Sequence, residues 1–150
     1  MRAFLYVLVV ALLPGPVLAA GPIVLPVKML DTSNEATDQR QDHLRRQAAF
    51  AEALAGDLSG SLIAAEEIEA ACPRETARCL LDLLAAKPTD RALFVTVQKT
   101  STLILQVFAD LVEVKSEKLV AHRELSFRGD NDESWARAAR FLGRQLRALD

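Results

Sequence analysis

The stretch that decides the fold runs from Ala92 to Phe127: ALFVTVQKTSTLILQVFADLVEVKSEKLVAHRELSF. Ala92 to Lys99 is rich in residues that favour strands, with Leu93, Phe94, Val95 and Val97. Leu103 to Val114 alternates, which is the period of a pleated strand. Leu103, Leu105, Val107, Ala109 and Leu111 share one face. The other face mixes Gln106 and Asp110 with Ile104, Phe108 and Val112, so it reads as half covered. Lys115-Ser116-Glu117-Lys118 is a charged hairpin turn. Leu119 to Phe127 returns as a strand, with Leu119, Ala121, Leu125 and Phe127 on one face.

Outside this β-rich stretch the period becomes helical. Downstream, Asp130 to Glu133 offers carboxylates for a helix start, and Trp135, Ala138, Ala139, Leu142, Leu146 and Leu149 form a core-facing stripe. Upstream, Pro73 and Glu75 open a helix with Ala77, Leu80, Leu81 and Leu84 on its face, ended by Lys87-Pro88. Asp42 to Ser59 is another helix, with Leu44, Ala48, Ala51, Ala55 and Leu58 on one face, widened by Phe50 and Leu54. Ser61 to Ala65 is a short strand. Ile23 to Leu30 is a strand near an edge, because Pro26 removes a donor from its ladder. The order is β-α-β-α-β-β-β-α. The expected fold is a single α/β (α+β) domain, a mixed sheet with helices packed on it.

The chain has 150 residues, 51% hydrophobic and 25% charged, with a formal net charge of −2. Those values exclude a disordered tail and a basic nucleic-acid-binding domain, so no nucleic-acid partner is expected. The apolar residues are unevenly spread. Arg2 precedes an unbroken apolar run from Phe4 to Leu13, then Pro14-Gly15-Pro16 and the small residues Val17 to Ala20. This is the secretory signal pattern, residues 1–20, with cleavage near Ala19 or Ala20. The run is shorter than the roughly 20 residues that span a bilayer. The expected product is residues 21–150, periplasmic or secreted, with no membrane anchor left after cleavage. No cysteine follows the cleavage region, so lipid attachment there is not expected. The product carries 17 Lys and Arg against 20 Asp and Glu.

Cys72 and Cys79 are the only cysteines. Export favours a disulfide between them. Seven residues of continuous helix span about 10 Å, whereas a bridge needs Cα atoms within about 7 Å. The chain at Cys72-Pro73 must therefore fold back. No ligand spacing for a metal and no Gly-rich phosphate loop is present, so no metal and no cofactor are expected. His43 and His122 read as surface histidines, Arg45 and Arg46 as a solvated helix face, Arg137, Arg140, Arg144 and Arg147 likewise, and Trp135 as core.

If the first strand pairs in parallel with the Ala92 strand, three connections meet at one end of the sheet: Asp31–Gln41, Lys99–Thr102 and Arg128–Asp132. The first has eleven residues, longer than the usual four to six or so, and long ordered loops often carry function. The candidate ligand- or partner-binding residues there are Asp31, Ser33, Glu35, Asp38, His43, Lys99, Ser101, Arg128, Asp130 and Asp132. Lys99 and Arg128 would supply cationic donors. The plain alternative is that these residues cap and finish loops. A hydrolase would instead use His43 with Ser33 or Ser101 and Asp31, although no G-x-S-x-G elbow is present. A purely structural stabiliser would expose an apolar patch at Ile104, Phe108 and Val112.

Leu30-Asp31-Thr32-Ser33-x-Glu35, Cys72-Pro73, Val97-Gln98-Lys99-x-Ser101-x-Leu103-Ile104-Leu105 and Asp132-Glu133-Ser134-Trp135 together resemble a family of bacterial exported proteins defined as a domain of unknown function. The strand–helix order also resembles the amino-terminal domain of TolB and related envelope proteins, a mixed α/β module used for protein contacts. The resemblance carries over no catalytic residue. It implies a non-catalytic accessory protein of the cell envelope that binds another periplasmic or envelope protein, or a small ligand.

Overall fold

The structure, a computed structural model, describes residues 21–149. The signal expected over 1–20 lies outside the described residues. The elements are β1 (Ile23–Val24), β2 (Lys28–Asp31), α1 (Arg40–Asp57), β3 (Ser61–Leu62), α2 (Ala65–Ala71), α3 (Ala77–Ala85), β4 (Arg91–Lys99), β5 (Ile104–Glu113), β6 (Lys118–Arg128) and α4 (Asp132–Arg147). This is the single mixed-sheet α+β domain expected.

The sheet runs β3-β1-β4-β5-β6, with β2 also on β4. β1 and β2 both pair parallel to β4, the latter from Lys28↔Thr96 to Asp31↔Lys99. β4, β5 and β6 are joined by antiparallel pairing, Lys99↔Leu105↔Phe127 at one end. The parallel pairing on which the convergence of three loops depended is therefore present.

Two layers of helix cover the sheet. The odd positions of β4 and β5 face α1 and α4, and Leu93, Val95, Val97, Leu105, Val107 and Ala109 form that core with Phe50, Leu54, Trp135 and Leu142. The opposite face is covered only near β1, where Ile23, Leu25, Ala92 and Val114 meet Ile68, Leu80 and Leu84 of α2 and α3. Further along, Phe108 and Val112 are half-buried and Ile104 is exposed. Helices α1 and α4 lie side by side and run in the same direction. Arg45 and Arg46 meet Asp132 at their starts, and Arg147 donates to the Asp57 carbonyl at their ends.

Five expectations are corrected. The strand Ile23–Leu30 is two strands, because Pro26 interrupts the ladder that Leu25 enters by donating to the Leu93 carbonyl. Helix α2 was not foreseen: among Ala65–Ala71 only Ile68 is buried, so seven residues carry no stripe to read. The following helix starts at Ala77, capped by Thr76, whose hydroxyl accepts from the Cys79 amide. Pro73 instead sits in the reversal that brings the Cys72 and Cys79 Cα atoms to 5.8 Å, where they are bridged. Leu149, expected in the α4 stripe, is exposed past the helix end.

The fifth correction bears on the site. The buried face of α1 is His43, Phe50, Ala51, Leu54 and Ala55, while Leu44 is 53% exposed and Ala48 is exposed. Phe50, Ala51, Leu54 and Ala55 face inward as read, but in the first turns His43 and the half-buried Arg46 and Gln47 take the inner face in place of Leu44 and Ala48.

Candidate functional site

Alternation along β4 places Lys99 on the core side, after Leu93, Val95 and Val97. Its side chain is 0% exposed. A buried ammonium is costly unless every proton finds an acceptor. Lys99 Nζ donates to Asp130 Oδ2 at 2.7 Å, Gln39 Oε1 at 2.8 Å and Glu35 Oε2 at 2.9 Å. Gln39 also donates its amide to Glu35. Two connections thus deliver one set of acceptors: Glu35 and Gln39 from the β2–α1 loop, and Asp130 from the β6–α4 loop.

Asp130 is the hub. Gly129, at φ +90°, turns the chain after β6 in a conformation that suits glycine. Asn131 caps α4 by accepting from the Ser134 amide at 3.0 Å, which leaves Asp130 to face inward. Its Oδ2 accepts from Lys99 and from His43 Nε2 at 2.7 Å. Its Oδ1 accepts from Arg46 Nη1 and Trp135 Nε1, both at 2.9 Å. A carboxylate has about four acceptor sites, and all four are used. Burial pushes the Asp130 carboxyl up, but hydrogen bonds from Lys99, His43 and Trp135 hold it down at about 2. Burial likewise opposes the charge on Lys99, and its bonds to Asp130 and Glu35 raise it above 10.5 instead.

Around the hub, Asp132 is held at about 2 chiefly by hydrogen bonds from Arg45 and Arg46. Asp31 accepts from the Ser33 amide and hydroxyl at 2.9 and 2.6 Å. Burial raises its carboxyl, and the Ser33 bonds outweigh it, so the net shift is down. His43 Nδ1 lies 3.9 Å from Asp31 Oδ2. Its imidazole therefore stands between two carboxylates.

Of the candidate residues, Asp31, Ser33, Glu35, His43, Lys99, Asp130 and Asp132 come together. Three do not. Asp38 is exposed and accepts from the Arg40 amide. The Ser101 hydroxyl accepts from the backbone amides of Leu103 and Ile104, a turn role. Arg128 occupies an even position of β6, on the sheet face opposite Lys99, and makes no hydrogen bond or ion pair among the described residues. Two further expectations change. His43 is 6% exposed rather than a surface residue, and Arg46 is a half-buried partner of Asp130 rather than part of a solvated face. His122 is exposed, as expected, and pairs with Asp110. Gln39, Arg46 and Trp135 were missed as members of the cluster. The available signal was a lysine at an inward strand position, which demands acceptors.

Over the cluster lies an open depression of about 830 Å³. Ser33, Asn34, Thr37, Asp42 and Thr102 line it, with Arg46 and Asp130 beneath. The acid–base behaviour follows from the two shifts. Asp130 is depressed from 3.8 to about 2, so its stabilisation is full above 3.8 and is lost as pH falls through about 2. Lys99 is raised, so its contribution is full below 10.5 and is lost only as pH climbs through its higher folded value. Circular dichroism against pH is expected to show a stable plateau with an acid unfolding limb between about pH 4 and 2. That limb should be reduced in Asp130→Asn; an unchanged limb would assign the acid sensitivity elsewhere.

A single mixed-sheet α+β domain with one end locked by a buried lysine–aspartate cluster is the class that fold and site define. The chain belongs to the DUF3280 family, described as a protein of unknown function (DUF2380), whose model matches residues 22–146. No curated protein matches the sequence. Among solved structures the chain is similar to lipoprotein GNA1162 from Neisseria meningitidis, at 16% identity over 85% of this chain and 96% of that one, with a TM-score of 0.52. It is similar to the PelC dodecamer from Paraburkholderia phytofirmans at 15% identity over 90% and 91%, with a TM-score of 0.51. TolB from Acinetobacter baumannii aligns at 10% identity over 87% of this chain and 28% of that one, with a TM-score of 0.47. Likeness at these identities is one of fold.

Proposed function

We propose that the protein is a non-catalytic accessory protein of the bacterial envelope. In this reading residues 1–20 are a secretory signal removed near Ala19 or Ala20, and residues 21–150 act in the periplasm as one domain. The loop end of the sheet binds a partner protein. One observation carries this reading: every polar atom of the Asp130 carboxylate and every proton of Lys99 is already engaged within the cluster. A lysine and an aspartate saturated in this way serve as a structural tie, and the tie holds the loops in a fixed arrangement beneath an open rim. The fold shared with a bacterial lipoprotein supports it. Nothing favours the hydrolase alternative, since the Ser33 hydroxyl bonds Asp31 and the Ser101 hydroxyl bonds backbone amides, neither reaching His43.

Thr37 and Thr102 are exposed on the rim, so Thr37→Arg and Thr102→Arg fill the depression without touching the core. Affinity capture from periplasm is expected to recover a partner with the wild type and to lose it with the double variant, at an unchanged thermal midpoint. Equal recovery by both would remove the loop rim as the binding surface.

A further inference from the structure

Between α1 and α4, next to the cluster and with Arg46 between it and the depression, lies a slot of about 290 Å³. Its origin is in the sequence. Ala49 and Ala53 on α1 and Ala136 on α4 have short side chains, so the two helices leave a gap where larger residues would meet. Its floor is Phe50 and Trp135, edge to face with centroids 6.0 Å apart. The cavity is apolar and small, at the low end of the roughly 300–1,000 Å³ of ligand sites.

The rim is cationic. Asp132 is neutralised by both Arg45 and Arg46. Arg140 across the slot makes no hydrogen bond, ion pair or ring contact among the described residues. One turn on, Arg144 has only the Phe141 ring, 5.7 Å away. Arg140, uncompensated beside an apolar floor while Arg45 and Arg46 are paired with Asp42, Asp130 and Asp132, asks for an occupant that brings its own carboxylate. We infer that this slot docks an acidic–apolar peptide segment of a partner protein, an aliphatic or aromatic side chain entering over Phe50 and Trp135 while a neighbouring Asp or Glu pairs with Arg140. A bilayer is the poorer fit, because membrane surfaces are met by protruding apolar side chains, whereas both rings here are 2% exposed at the bottom of a recess. This site goes beyond the loop rim proposed above.

Trp135 is the only tryptophan in the chain, so its fluorescence reports the slot. The test is selection of a randomised peptide library on the wild-type protein, followed by titration of the selected peptides by Trp135 fluorescence. Ala136 and Arg140 are exposed, so Ala136→Leu fills the slot and Arg140→Glu reverses its charge without disturbing the core. Selected peptides are expected to carry Asp or Glu close to Leu, Ile or Phe. Their affinity should fall about tenfold or more in each slot variant, and remain unchanged in Thr37→Arg. Peptides that lack acids, or that bind the slot variants as well as the wild type, would overturn the inference. Loss in Thr37→Arg alone would overturn it too, while supporting the loop rim. Binding to phosphatidylglycerol vesicles that the slot variants abolish, with no peptide selected, would replace it with a membrane surface.

Discussion

Replacing Asp130 with alanine is expected to cost about 3–5 kcal/mol of folding stability, the range for breaking one side of a buried ion pair. The carboxylate accepts from Lys99, His43, Arg46 and Trp135. Without it, Lys99 keeps Glu35 and Gln39, but Trp135 loses its indole partner and Arg46 keeps only Asp132. Each orphaned buried donor adds a desolvation cost. For a domain of this size the loss corresponds to a fall in thermal midpoint of roughly 10–20 °C. Urea denaturation measures it directly. A loss below about 1 kcal/mol would place Asp130 with ordinary surface carboxylates.

The second large effect is at Lys99, and here two substitutions separate charge from volume. Lys99→Ala removes the ammonium and leaves a void against Val97 and Leu105, which neighbour it in the core. Glu35 and Asp130 then face each other without the cation that holds them. The expected loss is again about 3–5 kcal/mol. Lys99→Met restores most of the volume and none of the charge, so it should recover the packing part only. It should also move acid unfolding to higher pH, because Asp130 loses the first of the bonds that hold its carboxyl at about 2. The expected order of stability is wild type, then Met, then Ala. A methionine variant as stable as the wild type, with unchanged acid unfolding, would show that the ammonium contributes nothing beyond bulk.

Strands β4 and β5 were legible because each keeps a single period, whereas a register shift at Leu111/Val112 leaves Leu119, read on the inward face of β6, exposed. Leu105, Val107, Ala109 and Leu111 face inward as read, and the hairpin falls at residues 114–117. The convergence of three loops followed from topology once the first strand was taken as parallel to β4. What could not be read were features decided by partners distant in sequence. Helix α1 was read with Leu44 and Ala48 on its inner face, because apolar spacing favours leucine and alanine over the histidine and arginine that take that face. Buried His43 and half-buried Arg46 become acceptable only because Asp130, 84 or more residues away, receives them. Lys99 read as a cationic donor for a ligand or partner, yet the pleat that buries Val95 and Val97 buries it too. Arg128 failed for the same reason in reverse: it is one residue past Phe127, and successive strand residues point to opposite faces.

That the loop end is held by one coupled cluster is tested most directly by a double-mutant cycle on Lys99→Met and Asp130→Asn, read by urea denaturation. Both singles are expected to be strongly destabilising. The double variant should lose less than their sum by about 2 kcal/mol or more, as for residues in one charge network. Additivity to within about 0.5 kcal/mol, the behaviour of independent sites, would contradict the account.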